Sequence, residues 1–382
     1  MVVFEALTWE ARDSDGEYII SIFGRDEKGV SVSVSTAFQP YFFVKLAKNA
    51  NDRLIFEKIK KVCGENAPVS YDLLRSKDLW GFQNNELKPF MKLNFNTLAA
   101  MKSCDLKLRR TLPGEDRVLK VYESNLEPIL RFMHRSGIQS TGWLDTGDKC
   151  VRSHLTRCTI DLFCNDWRTL KPVARDNIAP FIVASFDIET NSSTGKFPDG
   201  DIRGDACFQI AVTLKRMGEK DIYEKVCLCY KKTSGVDVVS FDTERELLIG
   251  FRDWVIKHDI DIMTGWNIFG FDLEYLYKRA IMNDCIAEFT DISKFKNHMC
   301  EMSYKKLSSG ALGDNMLKMF PMPGRYIFDM FHDVKRQYNL DSYSLNFVSE
   351  KFLGDKKLDM SPKEMFRRFA KGDPDELGEV AD

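Results

Sequence analysis

Two carboxylates, Asp187 and Glu189, close the apolar run Phe181–Phe186 in the stretch FIVASFDIET. Along a strand, residues i and i+2 point the same way, roughly 6–7 Å apart. Two acids on one face at the end of a buried strand repel each other unless cations lie between them. Oxygen-only ligation of this kind suits magnesium or manganese. The chemistry on offer is metal-dependent attack on a phosphodiester. A plain strand end whose acids meet solvent fits the same pattern, and Asp-x-Glu alone leaves both readings open. A third acid, Asp272, opens a helical stretch after GWNIFGF (265–271). It serves either as a cap and first-turn dipole compensation or as a third carboxylate for the same ions. Gly265 and Asn267 end the preceding strand, where an open α/β sheet binds its ligands. Asn267 has the groups to hydrogen-bond a base or a phosphate, and equally to cap its own loop.

The elements that must position these residues follow from periodicity. Phe181–Phe186 reads as a strand buried on both faces. A polar, turn-rich loop runs from Asn191 to Asp205, beside the carboxylates in sequence. Phe208–Leu214 and Ile222–Tyr230 read as strands in antiparallel hairpins. Thr243-Glu244-Arg245-Glu246 is a capping box that opens a helix with Leu247, Leu248, Phe251, Trp254 and Val255 on one face. A strand at 260–264 and the helix at Asp272 follow, the latter burying Leu273, Leu276, Tyr277 and Ala280. Three strands, a helix, a strand and a helix predict an α/β, ribonuclease-H-like mixed sheet with a helix crossing behind it.

The preceding residues read as α+β. Tyr18–Phe23 is a strand, the turn residues 24–29 follow, and Val30–Val34 alternates as a half-buried strand. Phe38–Leu46 and Leu87–Phe95 are further strands. Asn51–Cys63 is a helix with the stripe Leu54, Ile55, Ile59 and Val62, and a second helix begins within 93–104. Ser124 or Asn125 caps a helix with Ile129, Leu130, Phe132 and Met133, which Gly137 ends. A polar link, 165–177, places the domain boundary near residue 178, giving domains 1–178 and 179–382. Lys102–Lys120 is locally basic. No aromatic residue interleaves with its charges, and Asp105, Glu115 and Asp116 dilute them, so a solvated face is the favoured reading over a nucleic-acid groove.

The chain has 382 residues and net charge −2, which gives no overall basic signature. That does not exclude a nucleic-acid partner, because a nuclease site is itself acidic and a basic groove can be local. Ten cysteines lie scattered, and the nearest pair, Cys227 and Cys229, lacks a zinc spacing. Reduced thiols in an intracellular protein are expected. Glu5, Glu10 and Asp13 break up the N-terminus, so no signal peptide is expected, and no apolar run approaches the about 18 residues of a membrane span.

FDIET followed by GWNIFGFDLEYL resembles the first and second exonuclease motifs of family B DNA polymerases. Tyr338–Asp359 (YNLDSYSLNFVSEKFLGDKKLD) and GRYIFDMF (324–331) are similar to segments of the delta kind. VYESNLEPILRFM…GWLD and FGRDEKGVSVSVSTAFQPYFFV resemble its N-terminal domain. The resemblance is collinear over nearly the whole chain. It implies that Asp187, Glu189 and Asp272 bind two magnesium or manganese ions and carry 3′–5′ proofreading hydrolysis. It places Asn267 and Phe271 near a single-stranded 3′ end, with a core role open for Phe271. Asp329 matches no catalytic position and is read as structural. Implied partners are DNA, the remainder of a polymerase chain and a sliding clamp, in a nucleus or at a viral replication site, with a lean towards a large DNA virus.

The pattern departs from the family in one respect. The family's Tyr-x-x-x-Asp motif would be expected to begin after LGEVAD, where the sequence ends at Asp382, and nothing within residues 1–382 resembles a palm motif. The sequence is thus expected to be the N-terminal part of a replicative polymerase, and alone to bind metal weakly and cut poorly or not at all. A stand-alone exonuclease, a non-catalytic DNA-binding scaffold and a polymerase using this domain only as a platform are the alternatives.

Overall fold

Short apolar runs separated by turn residues become strands throughout the computed structural model, which describes residues 1–110, 118–309, 313–355 and 360–381. Glu115, Asp116 and Arg117 of the basic stretch, residues 356–359 of the delta-like segment, and Asp382 lie outside the described residues. The chain forms two compact units. The first comprises Met1–Phe23, Ser33–Ser153 and Leu162–Arg175, the second Gly24–Val32, His154–Asp161 and Asp176–Asp382.

In the first unit, β1 (Val3–Ser14) and most of β2 (Glu17–Asp26) and β3 (Ser31–Ala37) form consecutive strands. Then come β4 (Tyr41–Lys45), α1 (Asp52–Cys63), β5 (Ser70–Ser76), β6 (Lys88–Asn94), α2 (Leu98–Leu108) and β7 (Val121–Tyr122). These build a split β-α-β frame with antiparallel order β5-β6-β4-β7. Phe42, Val44, Met91 and Leu93 on one face of that sheet pack against Ile55, Ile59, Met101 and Cys104 of the helices. After α3 (Pro128–Ser136), the strands β8 (Gly142–Asp145), β9 (Cys150–Arg152), β10 (Ile160–Cys164) and β11 (Lys171–Pro172) complete a sheet of order β11-β8-β1-β2-β3-β10-β9.

Four expectations are corrected here. Strand β3 is buried on both faces, its serines and threonine included, because Ser35 shares a hydroxyl bond with Ser21 and Thr36 donates to the Cys164 carbonyl. Leu54 and Leu130 are exposed, so the buried stripes run instead through Ile55, Ile59 and Cys63, and through Pro128, Arg131 and Phe132. Helix α3 starts later than Ser124 or Asn125 would cap it, at Pro128, whose ring pre-sets the first turn; Glu127 stands at the cap position without a side-chain capping hydrogen bond. The link 165–177 holds β11 and a short 3₁₀ turn at Trp167–Thr169.

In the second unit, β12 (Ile182–Thr190), β13 (Cys207–Arg216), β14 (Ile222–Tyr230), β15 (Val238–Phe241), α4 (Glu244–Lys257) and β16 (Ile262–Gly265) come in order. They are followed by α5 (Asp272–Met282), α6 (Ile286–Thr290), β17 (Ser303–Ser309), β18 (Gly313–Met319) and β19 (Tyr326–Asp329). Helices α7 (Met330–Gln337), α8 (Leu345–Leu353), α9 (Pro362–Lys371) and α10 (Pro374–Ala381) close the unit. The main sheet is mixed, of order β15-β14-β13-β12-β16-β19: antiparallel from β12 to β14, parallel for β12–β16, β16–β19 and β14–β15. The capping box forms, with Thr243 accepting from the Glu246 amide and Glu246 reaching back. The strand expected to be buried on both faces is not. In β12 the residues Ala184, Phe186 and Ile188 face the α4–α5 core, while Ser185, Asp187 and Glu189 face a more open side. Among the described residues, no helix is long and apolar enough to cross a membrane.

Candidate active site

The period of two in β12 carries Asp187 and Glu189 to one face, opposite Ala211 and Gln209 of β13. The strand pairing is irregular just after Glu189. Asp272 reaches the same strand from the first turn of α5. It is 3% exposed, and its carboxylate lies near the main chain of Ile188, the residue between the two β12 acids. Burial first, then the negative charge of Asp187, push Asp272 up to about 7, with Asp329 adding to the effect. Burial and like charge both disfavour the carboxylate, so this position calls for a proton or a cation.

The loop from β16 to α5 is shaped by close packing. A Cβ at Gly265 would lie 2.5 Å from the Phe186 carbonyl oxygen. Asn267 adopts a left-handed backbone, φ 61°, and its carbonyl accepts from the amides of Gly270 (2.9 Å) and Phe271 (3.1 Å). A Cβ on Gly270 would strike the Asn267 side chain. The buried Asp329 carboxylate accepts from the amides of Asn267 (2.9 Å), Phe269 (2.9 Å) and Phe331 (3.0 Å). It thereby holds this loop and caps α7.

Phe271 is half-buried. Its ring lies 5.0 Å from that of Tyr275 and 5.4 Å, edge-on, from Phe197. Phe197, 78% exposed, was missed in the sequence; its one signal is an aromatic residue in a polar loop next to the carboxylates. That loop is pinned from within and from behind. Asp205 accepts from the Ser193 amide (2.6 Å), the Ser193 hydroxyl (2.6 Å) and the Asp199 amide (3.0 Å). The buried Arg279 guanidinium donates to the carbonyls of Gly200 (3.2 Å), Ile202 (2.7 Å) and Arg203 (3.2 Å), and pairs with buried Glu244 at 2.6 Å.

Asp187 and Asp272 are electrostatically coupled, and Glu189 shares a face with Asp187. Glu189 and Asp272 both act on the buried Cys207 thiol, which burial chiefly pushes up. By donor type the three acids fit a hard dication. Among the described residues, no group of three or more acid, histidine or cysteine side chains, Asp187, Glu189 and Asp272 included, is gathered closely enough to hold a metal ion. Beside Asp187 opens a largely apolar cavity of about 620 Å³, bordered by Ser185, Ala211, Thr213, Trp266, Val334 and Phe352.

Comparison with known proteins bears on this arrangement. The family model "DNA polymerase family B, exonuclease domain" matches residues 119–348. The DNA polymerase of Paramecium bursaria Chlorella virus NY2A is 28% identical over 401 residues, covering 98% of this chain and 42% of the relative. The DNA polymerase delta catalytic subunit of Oryza sativa subsp. japonica is 31% identical over 366 residues, covering 90% of this chain and 33% of the relative. The chain therefore spans less than half the length of these relatives. The solved family B DNA polymerase of the hyperthermophilic archaeon Pyrobaculum calidifontis superposes with a TM-score of 0.69 at 18% identity, over 97% of this chain and 42% of that one. That likeness bears on the fold and agrees with the mixed, ribonuclease-H-like sheet. The matched segment takes in the strand of Asp187 and Glu189 and the helix of Asp272, and the chain belongs to the family B DNA polymerases, carrying their exonuclease domain.

Proposed function

We propose that this chain is part of a replicative family B DNA-directed DNA polymerase and removes mismatched 3′ ends through Asp187, Glu189 and Asp272. The observation that carries the reading is the burial of Asp272 beside β12, within reach of the Asp187 charge, which brings a third carboxylate to the Asp-x-Glu strand. These three residues would hold two magnesium or manganese ions, which when bound supply an activated water and charge stabilisation at the leaving 3′ oxygen. Asn267, fixed through its amide by Asp329, offers its side chain to the terminal nucleotide. Phe271 and the exposed Phe197 offer flat faces to unpaired bases. Selectivity comes from the lower cost of unpairing a mismatched end. DNA is the substrate, a sliding clamp is a partner of the whole protein, and the site of action is a nucleus or a viral replication site.

Asp187→Ala with Glu189→Ala in the full-length protein is expected to abolish 3′ degradation and spare primer extension. Undiminished degradation would refute the site assignment. The three carboxylates alone, not gathered into a metal-holding group, are expected to hold manganese weakly. Calorimetric titration of the 382-residue chain measures this, and tight binding at two sites would contradict it.

A further inference from the structure

The loop between β5 and β6 holds two aromatic side chains out in solvent: Trp80 is 78% exposed and Phe82 95%. The loop backbone is organised from within. Gln83 accepts from the Asp78 amide through Oε1 (2.6 Å), and its Nε2 donates to the carbonyls of Asp78 (2.8 Å) and Trp80 (3.1 Å). Asp78 is in turn tied to the sheet by Lys45 Nζ (2.5 Å) and by the Tyr122 hydroxyl (2.9 Å). Gly81, at φ 79°, supplies the left-handed turn between the two aromatics. Large apolar side chains fixed outward gain free energy when something covers them.

The surroundings indicate what covers them. Lys45, Lys48, Arg75, Lys77, Lys88 and Lys120 gather at the loop and its base. The carboxylates among them include Asp78 and Glu86, bound by Lys45 and Lys88 respectively, and Asp52, which borders the same cavity as Lys48 and Arg75 and accepts from the Tyr71 hydroxyl. Arg75 and Lys77 give hydrogen bonds to neutral acceptors, the Leu87 carbonyl and the Asn85 side chain. An excess of cations beneath two outward rings suits a ligand with anionic links and flat faces. Single-stranded nucleic acid has both, whereas a duplex hides its base faces. Interleaved aromatics, which the basic stretch 102–120 lacks, are present here.

We propose that the 77–87 loop is a contact for single-stranded nucleic acid, with Trp80 and Phe82 stacking on bases and Arg75 and Lys77 facing phosphates. The proposal does not depend on the exonuclease reading, because these residues belong to the first unit and need no metal.

The test is fluorescence anisotropy of labelled oligothymidylate and oligouridylate across a salt series, in a metal chelator to prevent cleavage. Trp80→Ala with Phe82→Ala is expected to weaken binding at least about fivefold, the low end for loss of one base stack. Trp80→Tyr with Phe82→Tyr is expected to retain it. Arg75→Ala with Lys77→Ala is expected to flatten the salt slope by about one to two. All these positions are solvent-accessible, and thermal melts confirm that the variants fold. The same series in a Phe197→Ala/Asn267→Ala/Phe271→Ala background removes the base contacts proposed at the carboxylate site, so the loop effect persists there even if the exonuclease reading fails. A preference for either sugar supports the proposal and identifies the strand. Unchanged affinity on loss of both rings overturns it and leaves the patch to a protein partner, as does equal weakening by the tyrosine pair.

Discussion

Asp272 illustrates how one buried carboxylate couples stability to pH. Its ordinary value near 4 becomes about 7 in the folded chain, through burial first and Asp187 second. Between those values the folded state keeps a proton that the unfolded state releases. Stability is therefore highest below pH 4 with respect to this group, falls as pH rises towards 7, and stays at the lower level above it. At 1.36 kcal/mol per unit the loss amounts to about 4 kcal/mol. Asp272→Asn, neutral throughout and of nearly the same shape, is expected to raise the urea midpoint at pH 8 in metal-free buffer and leave it little changed at pH 4. Magnesium at pH 8 is expected to stabilise the parent and narrow the gap. Equal effects of the substitution at both pH values would mean that Asp272 carries its charge without penalty.

Among the elements, the loop 191–205 depends on a pair that no local pattern announces. Arg279 of α5 and Glu244 of α4 are buried together, and Arg279 spends its remaining donors on three loop carbonyls. Arg279→Met leaves Glu244 buried without its cation, at a cost of about 3–5 kcal/mol. It is also expected to speed tryptic cleavage after Lys196 and Arg203 well beyond the change in global stability; cleavage that merely tracks unfolding would mean the loop holds itself. The capping box at Thr243 and the shared face of Asp187 and Glu189 were legible because each is written within four residues. The exposure of Leu54 and Leu130 was not, since a helical stripe shows which residues share a side but not which edge of it meets the sheet. The open face of β12 was hidden by an apolar run in which small Ala184 and Ser185 sit on opposite sides. Glu244 looked like a first-turn acid of its helix, and only the fold brings Arg279, thirty-five positions away, beside it.

At the scale of the whole molecule, a net charge of −2 conceals strong internal pairing. In the second unit, Arg25 near the end of β2 bonds the buried Asp261, which also receives Lys294 and the Ile182 amide. Asp259 joins at 3.1 Å from Arg25 and 3.2 Å from Lys294. Arg157, from residues 154–161, pairs with Asp291 at 2.7 Å and donates to the Ser293 carbonyl at 2.8 Å. Arg25, Asp261 and Lys294 are deeply buried, while Asp259, Arg157 and Asp291 are partly so; buried pairs are weak evidence for net stability, yet removing one partner is strongly destabilising. We propose that any separation of the chain near residue 178 must reckon with these two early segments, which pack with residues 176–382. Arg25→Met in the full chain is expected to destabilise the second unit by about 3–5 kcal/mol. A chain beginning at residue 179 lacks both Arg25 and Arg157 and is expected to unfold at lower urea still, with Trp254 and Trp266 fluorescence as the probe. If residues 179–382 alone unfold at the midpoint of the full chain, the network contributes nothing and the early segments are dispensable to that unit. If the midpoint drops and a separately added peptide of residues 24–32 restores part of it, the hairpin is an integral piece of the exonuclease fold.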